Sequence, residues 1–165
     1  MNDVNSESIL TLASQLGELL EARDLKITTA ESCTGGGISE AITAISGSSA
    51  WFEYGFVTYA NSAKQALLGV TSKSLESYGA VSEQVVVEMA QGALEKSGAD
   101  IAIAVSGIAG PGGGSEEKPV GTVWLAWAQK GKGVSASMFL FSGDRLQVRS
   151  RAVAEGMLGA IRKLA

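Results

Sequence analysis

The sequence contains no histidine and only one cysteine, Cys33. The first absence excludes every Ser-His or Cys-His catalytic arrangement built from this chain, and it leaves a zinc site only Cys33 and carboxylates to draw on. The second excludes an intrachain disulfide and fits a reducing compartment, so a cytoplasmic location is expected. No run of about twenty apolar residues occurs, and no membrane span is expected. The N-terminal stretch through Asp24 carries Asp and Glu where a secretory leader carries basic residues, which argues against a signal peptide. Basic residues are scattered, 13 against 17 acidic ones for a net charge of −4, whereas a nucleic-acid surface needs a dense basic stripe. Chemistry that needs a base must therefore find one other than imidazole.

What is present is an apolar content of 45% over 165 residues. That is enough for one ordinary core and too little for two, so a single domain over 1–165 is expected. Ile9, Leu12, Ala13, Leu16, Leu19 and Leu20 recur at three- and four-residue spacing and predict a helix over about 5–23. Leu25–Ala30 reads as a short buried strand, and Ile38, Ala41, Ile42 and Ile45 restart the helical period, so Glu31–Gly37 is a strand-to-helix turn. Aromatic and β-branched residues predict a strand over 52–60. Asn61 or Ser62 is expected to cap a short helix through Leu68; another spans about 72–78, and a longer one runs from Ser82 to Gly98. The small and β-branched run 100–106 has the composition of a strand covered on both faces. A long Gly-rich loop follows, then strands over 120–129 and 134–141 joined by Lys130–Gly133 as a hairpin, then a last helix burying Leu146, Val153, Met157, Ile161 and Leu164. This order predicts an α/β fold, three layers α/β/α around a mixed sheet of about five strands with a C-terminal hairpin. Trp124 and Trp127, three apart on one strand, should face opposite sides and pack in the core.

Three segments carry candidate chemistry. In Glu31-Ser32-Cys33-Thr34-Gly35-Gly36-Gly37, a hydroxyl sits where a strand hands over to a helix, among unpaired N–H groups at the positive end of a helix dipole. Such a turn suits an oxyanion; the plainer alternative is that Ser32 or Thr34 caps the helix. Cys33 is a rival nucleophile, but without histidine a buried, inert thiol is the better reading. In Tyr59-Ala60-Asn61-Ser62-Ala63-Lys64, Lys64 can serve as a base only when neutral. Its pKa of about 10.4 would have to fall to about 7 or 8, a change of roughly 4 kcal/mol that desolvation can impose. Tyr59 could hydrogen-bond the amine or simply pack on its strand, and Lys64 could equally be a solvated surface amine. In Ser106-Gly107-Ile108-Ala109-Gly110-Pro111-Gly112-Gly113-Gly114, the Lys-Ser/Thr ending of a P-loop is missing and the spacing is not that of a dinucleotide fingerprint. Backbone N–H groups there could still hold one phosphate, with Lys118 or Arg145 adding charge.

Taken together, AESCTGG, SGSSAWF, VTYANSAKQALLGV, GAVSEQV, SGIAGPGGG and KPVGTVW resemble the C-terminal domain family of CinA, the nicotinamide-nucleotide amidohydrolases, over essentially the whole chain from Ile9. The resemblance implies hydrolysis of nicotinamide mononucleotide to nicotinate mononucleotide and ammonia in pyridine-nucleotide salvage, with no metal and no cofactor. It implies Ser32 as nucleophile, Lys64 as base and Tyr59 in support. Cys33, Thr34, Gly35, Gly36, Ser106, Gly107, Gly110 and Arg145 are implied as substrate-binding; Ser106 stands where most relatives have Thr. A homo-oligomer is implied, acting on a small molecule without nucleic acid or membrane. The extra N-terminal domain that many relatives carry has no match here, so a stand-alone form is expected. The alternatives are a serine amidase for another small amide and a non-catalytic nucleotide-binding regulatory module.

Overall fold

The structure is a computed structural model that describes residues 4–165. Helix α1 (Ser6–Ala22) opens on a capping box in which Asn5 and Ser8 satisfy each other's backbone N–H, and it turns Ala13, Leu16 and Leu20 into the core. Strand β1 (Ile27–Glu31) leads through the glycine turn into α2 (Gly37–Thr43), and a single 3₁₀ turn (Ser48–Ala50) precedes β2 (Phe52–Val57). Helices α3 (Asn61–Leu68), α4 (Ser72–Tyr78) and α5 (Glu83–Ser97) follow, then β3 (Ile101–Gly107), the hairpin β4 (Thr122–Gln129) and β5 (Gly133–Leu140), and α6 (Arg145–Leu164).

The sheet runs β2-β1-β3-β4-β5, with β1 parallel to both β2 and β3 and the last two strands antiparallel. It is the expected mixed five-stranded sheet between two helical layers. On one face Ile27, Ile101, Ile103, Val105, Leu125 and Trp127 meet α1, α2 and α6. On the other, Ala30, Ala102, Ala104, Ala126 and Ala128 meet Val85, Val86, Met89 and Ala90 of α5. Alternation along a pleated strand thus sorts large side chains to one face and alanines to the other, which lets α5 lie close. Trp127 and Trp124 divide between the faces as expected, and the Trp127 indole N–H donates to the Gly156 carbonyl at 2.8 Å.

Two boundaries differ from the periodicity for local reasons. The expected strand 52–60 ends at Val57, because Thr58 N–H makes the last ladder bond, to Glu31 O at 2.9 Å, and the next two carbonyls turn toward a side chain. Neither Asn61 nor Ser62 caps α3; its N-cap is Ala60, without a side-chain hydrogen bond. The position of α3 depends on Gly92 of α5, where a Cβ would lie 1.9 Å from the Leu68 carbonyl oxygen. The parallel register pairs Glu31 with both Val57 and Val105. One residue further on, Ser32, Thr58 and Ser106 form a row of hydroxyl-bearing residues across the C-terminal ends of the three parallel strands, where open α/β sheets form ligand crevices.

Candidate active site

Lys64 comes from the first turn of α3 and its side chain runs back toward the end of β2, as helical side chains lean toward the N-terminus. The residue is 1% exposed. Its Nζ lies 3.1 Å from Ser32 Oγ and donates to the carbonyls of Thr58 and Tyr59, both at 3.0 Å. Among the described residues, no carboxylate contacts it. Burial therefore pushes its pKa below the ordinary lysine value, and the positive end of α3 acts in the same direction. In the neutral amine the two carbonyls take both N–H groups, and the remaining tetrahedral direction, the lone pair, faces Ser32.

Ser32 is 8% exposed and its own N–H is bound to Val105 O at 3.0 Å, which extends the β1–β3 ladder by one residue. Within the following turn, Gly35 N–H donates to Ser32 O and Gly37 N–H to Thr34 O, each at 3.0 Å. An anion hole over the whole Ser32–Gly36 turn thus narrows to the N–H groups of Cys33, Thr34 and Gly36, which have no protein acceptor among the described residues. Cys33 is buried, and desolvation pushes its thiol up to about 11. Uncharged at neutral pH, it is a poor rival to Ser32 and exerts no charge on Lys64.

Glu31 has a role that no local sequence pattern announces. Fully buried, its carboxylate accepts from Thr34 Oγ1 at 2.6 Å, Ile38 N at 2.8 Å, Ser39 N at 3.0 Å and Ser39 Oγ at 2.8 Å. It caps α2 from the strand that precedes it, so neither Ser32 nor Thr34 serves as the cap, and Ser32 keeps its hydroxyl for Lys64. The available signal was an acidic residue inside an otherwise buried run, next to a helix start that lacks a capping side chain.

A cleft of about 270 Å³ opens over Ser32 and Lys64, with Tyr59, Ser106, Gly110 and Arg145 among its walls. The Ser106 side chain is buried at the end of β3. Of the implied substrate-binding residues, the Thr34 side chain is buried against Glu31 and Gly35 packs against Arg149, so neither presents a side chain to the cleft; what Thr34 and Gly36 keep is a backbone N–H without a protein acceptor among the described residues. Tyr59 is 61% exposed and meets the lysine through its carbonyl; its phenol instead pairs with Arg145 Nη2 at 3.2 Å. Arg145 also donates to Gly110 O at 2.9 Å, tying the start of α6 to the Gly-rich loop. Lys118 donates to Tyr78 O at 2.6 Å, so it anchors the end of α4 and does not line the cleft. Ala109 and Gly110 are buried at the cleft wall, and their N–H groups have no protein acceptor among the described residues. The Thr58 hydroxyl is buried without a hydrogen-bond partner among the described residues.

Residues 9–164 match the CinA C-terminal domain family. The chain is 57% identical over 152 residues to a nicotinamide-nucleotide amidohydrolase PncC from Enterobacter agglomerans, covering 92% of this chain and 93% of that protein. It is 55% identical to the protein of the same name from Escherichia coli K12, covering 92% of each. A crystal structure of a competence-damaged protein (CinA) superfamily member from Klebsiella pneumoniae superposes with a TM-score of 0.91 at 41% identity, covering 94% of this chain and 97% of that one.

Proposed function

Since the chain belongs to the CinA C-terminal domain family, we propose that it hydrolyses the carboxamide of nicotinamide mononucleotide to nicotinate mononucleotide and ammonia, with Ser32 as nucleophile and Lys64 as base. The observation that carries this reading is a fully buried amine, without a carboxylate contact among the described residues, 3.1 Å from a serine hydroxyl at the floor of a cleft. Neutral Lys64 takes the Ser32 proton as Oγ bonds to the carboxamide carbon. The carbonyl oxygen becomes the oxyanion and accepts from the free N–H groups of the Cys33–Gly36 segment. As the C–N bond breaks, the lysine ammonium returns the proton to the departing nitrogen, releasing ammonia. Water then attacks the acyl-serine carbon, again losing a proton to Lys64, which hands it to Ser32 Oγ as nicotinate leaves.

The nucleotide phosphate is assigned to the cleft wall formed by the free N–H groups of Ala109 and Gly110, beside the Arg145 guanidinium. That placement accounts for a preference for the nucleotide over free nicotinamide. Tyr59 supports the lysine through its carbonyl and steadies Arg145 through its phenol. The reading takes the chain as one catalytic domain that needs no metal or cofactor, works in the cytoplasm in pyridine-nucleotide salvage and assembles as a homo-oligomer. Ammonia release from nicotinamide mononucleotide tests it. Ser32→Ala and Lys64→Ala are expected to lose on the order of 10⁴-fold or more in kcat, while Cys33→Ala stays active. Binding without turnover by the unaltered protein, or loss confined to Cys33→Ala, contradicts the assignment.

A further inference from the structure

Arg149 lies on α6, outside the cleft, on the opposite side of the glycine turn from the Ser32–Lys64 pair. It is half-buried, and its guanidinium donates through Nε to Cys33 O at 3.1 Å and through Nη2 to Thr34 O at 3.2 Å. Gly35 leaves room for it, since a Cβ there would stand 3.4 Å from Nη2. The two carbonyls it holds are consecutive. In a trans peptide the N–H points opposite to the carbonyl of the same plane. Fixing Cys33 O toward α6 therefore aims the Thr34 N–H away from α6. Fixing Thr34 O leaves the Gly35 N–H directed back to Ser32 O, the bond observed at 3.0 Å.

We propose that Arg149 is a positioning residue for catalysis: it clamps the Cys33 and Thr34 peptide planes so that the Thr34 N–H is presented to the oxyanion. The inference rests on the proposed serine mechanism and adds to it a residue that touches neither substrate nor Ser32. A planar fork with several donors spans two neighbouring carbonyls; a lysine ammonium at the same place serves as a point donor and holds the pair less firmly.

The test compares wild type, Arg149→Met and Arg149→Lys. Methionine keeps an apolar stem and removes every donor. Loss of one oxyanion donor costs about 10²–10³ in kcat, so a misaimed donor is expected to cost at least about tenfold, with KM changed less than about twofold. Arg149→Lys should fall between the two. An aldehyde analogue of the substrate, which adds Ser32 as a tetrahedral hemiacetal, should lose affinity in step with kcat/KM, while affinity for the carboxylate product stays level. A merely structural lesion would weaken both ligands together, and that result overturns the proposal. So does wild-type turnover by Arg149→Met. If Arg149→Met does not fold, the Arg149→Lys comparison decides by the same two affinities. A wild-type protein that releases no ammonia overturns the underlying mechanism as well, whereas normal wild-type turnover with an unaffected Arg149→Met removes the role of Arg149 alone.

Discussion

At the scale of single residues, the chemistry turns on what burial does to an amine. Lys64 is enclosed with two carbonyls and a hydroxyl and, among the described residues, without a carboxylate, and burial lowers its pKa. The sign for stability follows. Between the lowered pKa of the folded state and the ordinary lysine value, the unfolded chain holds a proton that the folded chain does not, and stability rises with pH across that window. Below it, protonation of the buried amine costs stability. Denaturant unfolding of wild type and Lys64→Met at about pH 7 and about pH 9.5 should show wild type gaining on the variant as pH rises. Parallel pH dependences would contradict a depressed lysine.

At the scale of elements, the strand-turn-helix unit from β1 into α2 stands on Glu31. Its carboxylate gathers two backbone N–H groups and two hydroxyls in the interior, and charge-assisted bonds of this kind are about twice as strong as neutral ones. Glu31→Ala leaves those four donors without their acceptor, at about 1–3 kcal/mol for each that water cannot reach. Thermal unfolding should show a loss of more than about 2 kcal/mol, accompanied by reduced turnover because the turn that carries Ser32 loses its anchor. A variant with wild-type stability and kcat would show that α2 is capped some other way. The Glu31 role was hidden in the sequence because the residue sits in a strand and acts on a helix seven residues later, a relation no local capping pattern contains. The rest of this unit was legible: a buried strand, a Gly-rich turn and a renewed 3.6-residue period are visible in Leu25–Ile45. Lys64 was legible as a residue type near a strand end, but its reach to Ser32 was not, since it depends on α3 packing against Gly92. Arg149 was invisible, because its two acceptors lie 116 and 115 residues away in the chain.

At the scale of the whole molecule, the sheet puts its three parallel strand ends side by side and so brings Ser32, Thr58 and Ser106 to one edge. A mixed sheet of about five strands with helices on both faces followed from the order of the elements; the strand order β2-β1-β3-β4-β5 did not. The exposed apolar residues Met138 and Leu140, two apart on the edge strand β5, are the surface that supports the proposed homo-oligomer. Sedimentation should give a mass above that of one chain, and replacing Met138 and Leu140 together with Lys should lower it; a wild-type protein that sediments as a monomer removes the assembly from the account.

The most direct test of the central claim is the titration of Lys64 itself, followed by ¹⁵N or ¹³C NMR of labelled lysine side chains and assigned by loss of the signal in Lys64→Met. The Lys64 amine is expected to titrate below the ordinary lysine value, and its midpoint to coincide with the acidic limb of the pH profile of kcat/KM for ammonia release. A Lys64 signal that titrates with the surface lysines, or an acidic limb unrelated to it, would contradict the lysine as base.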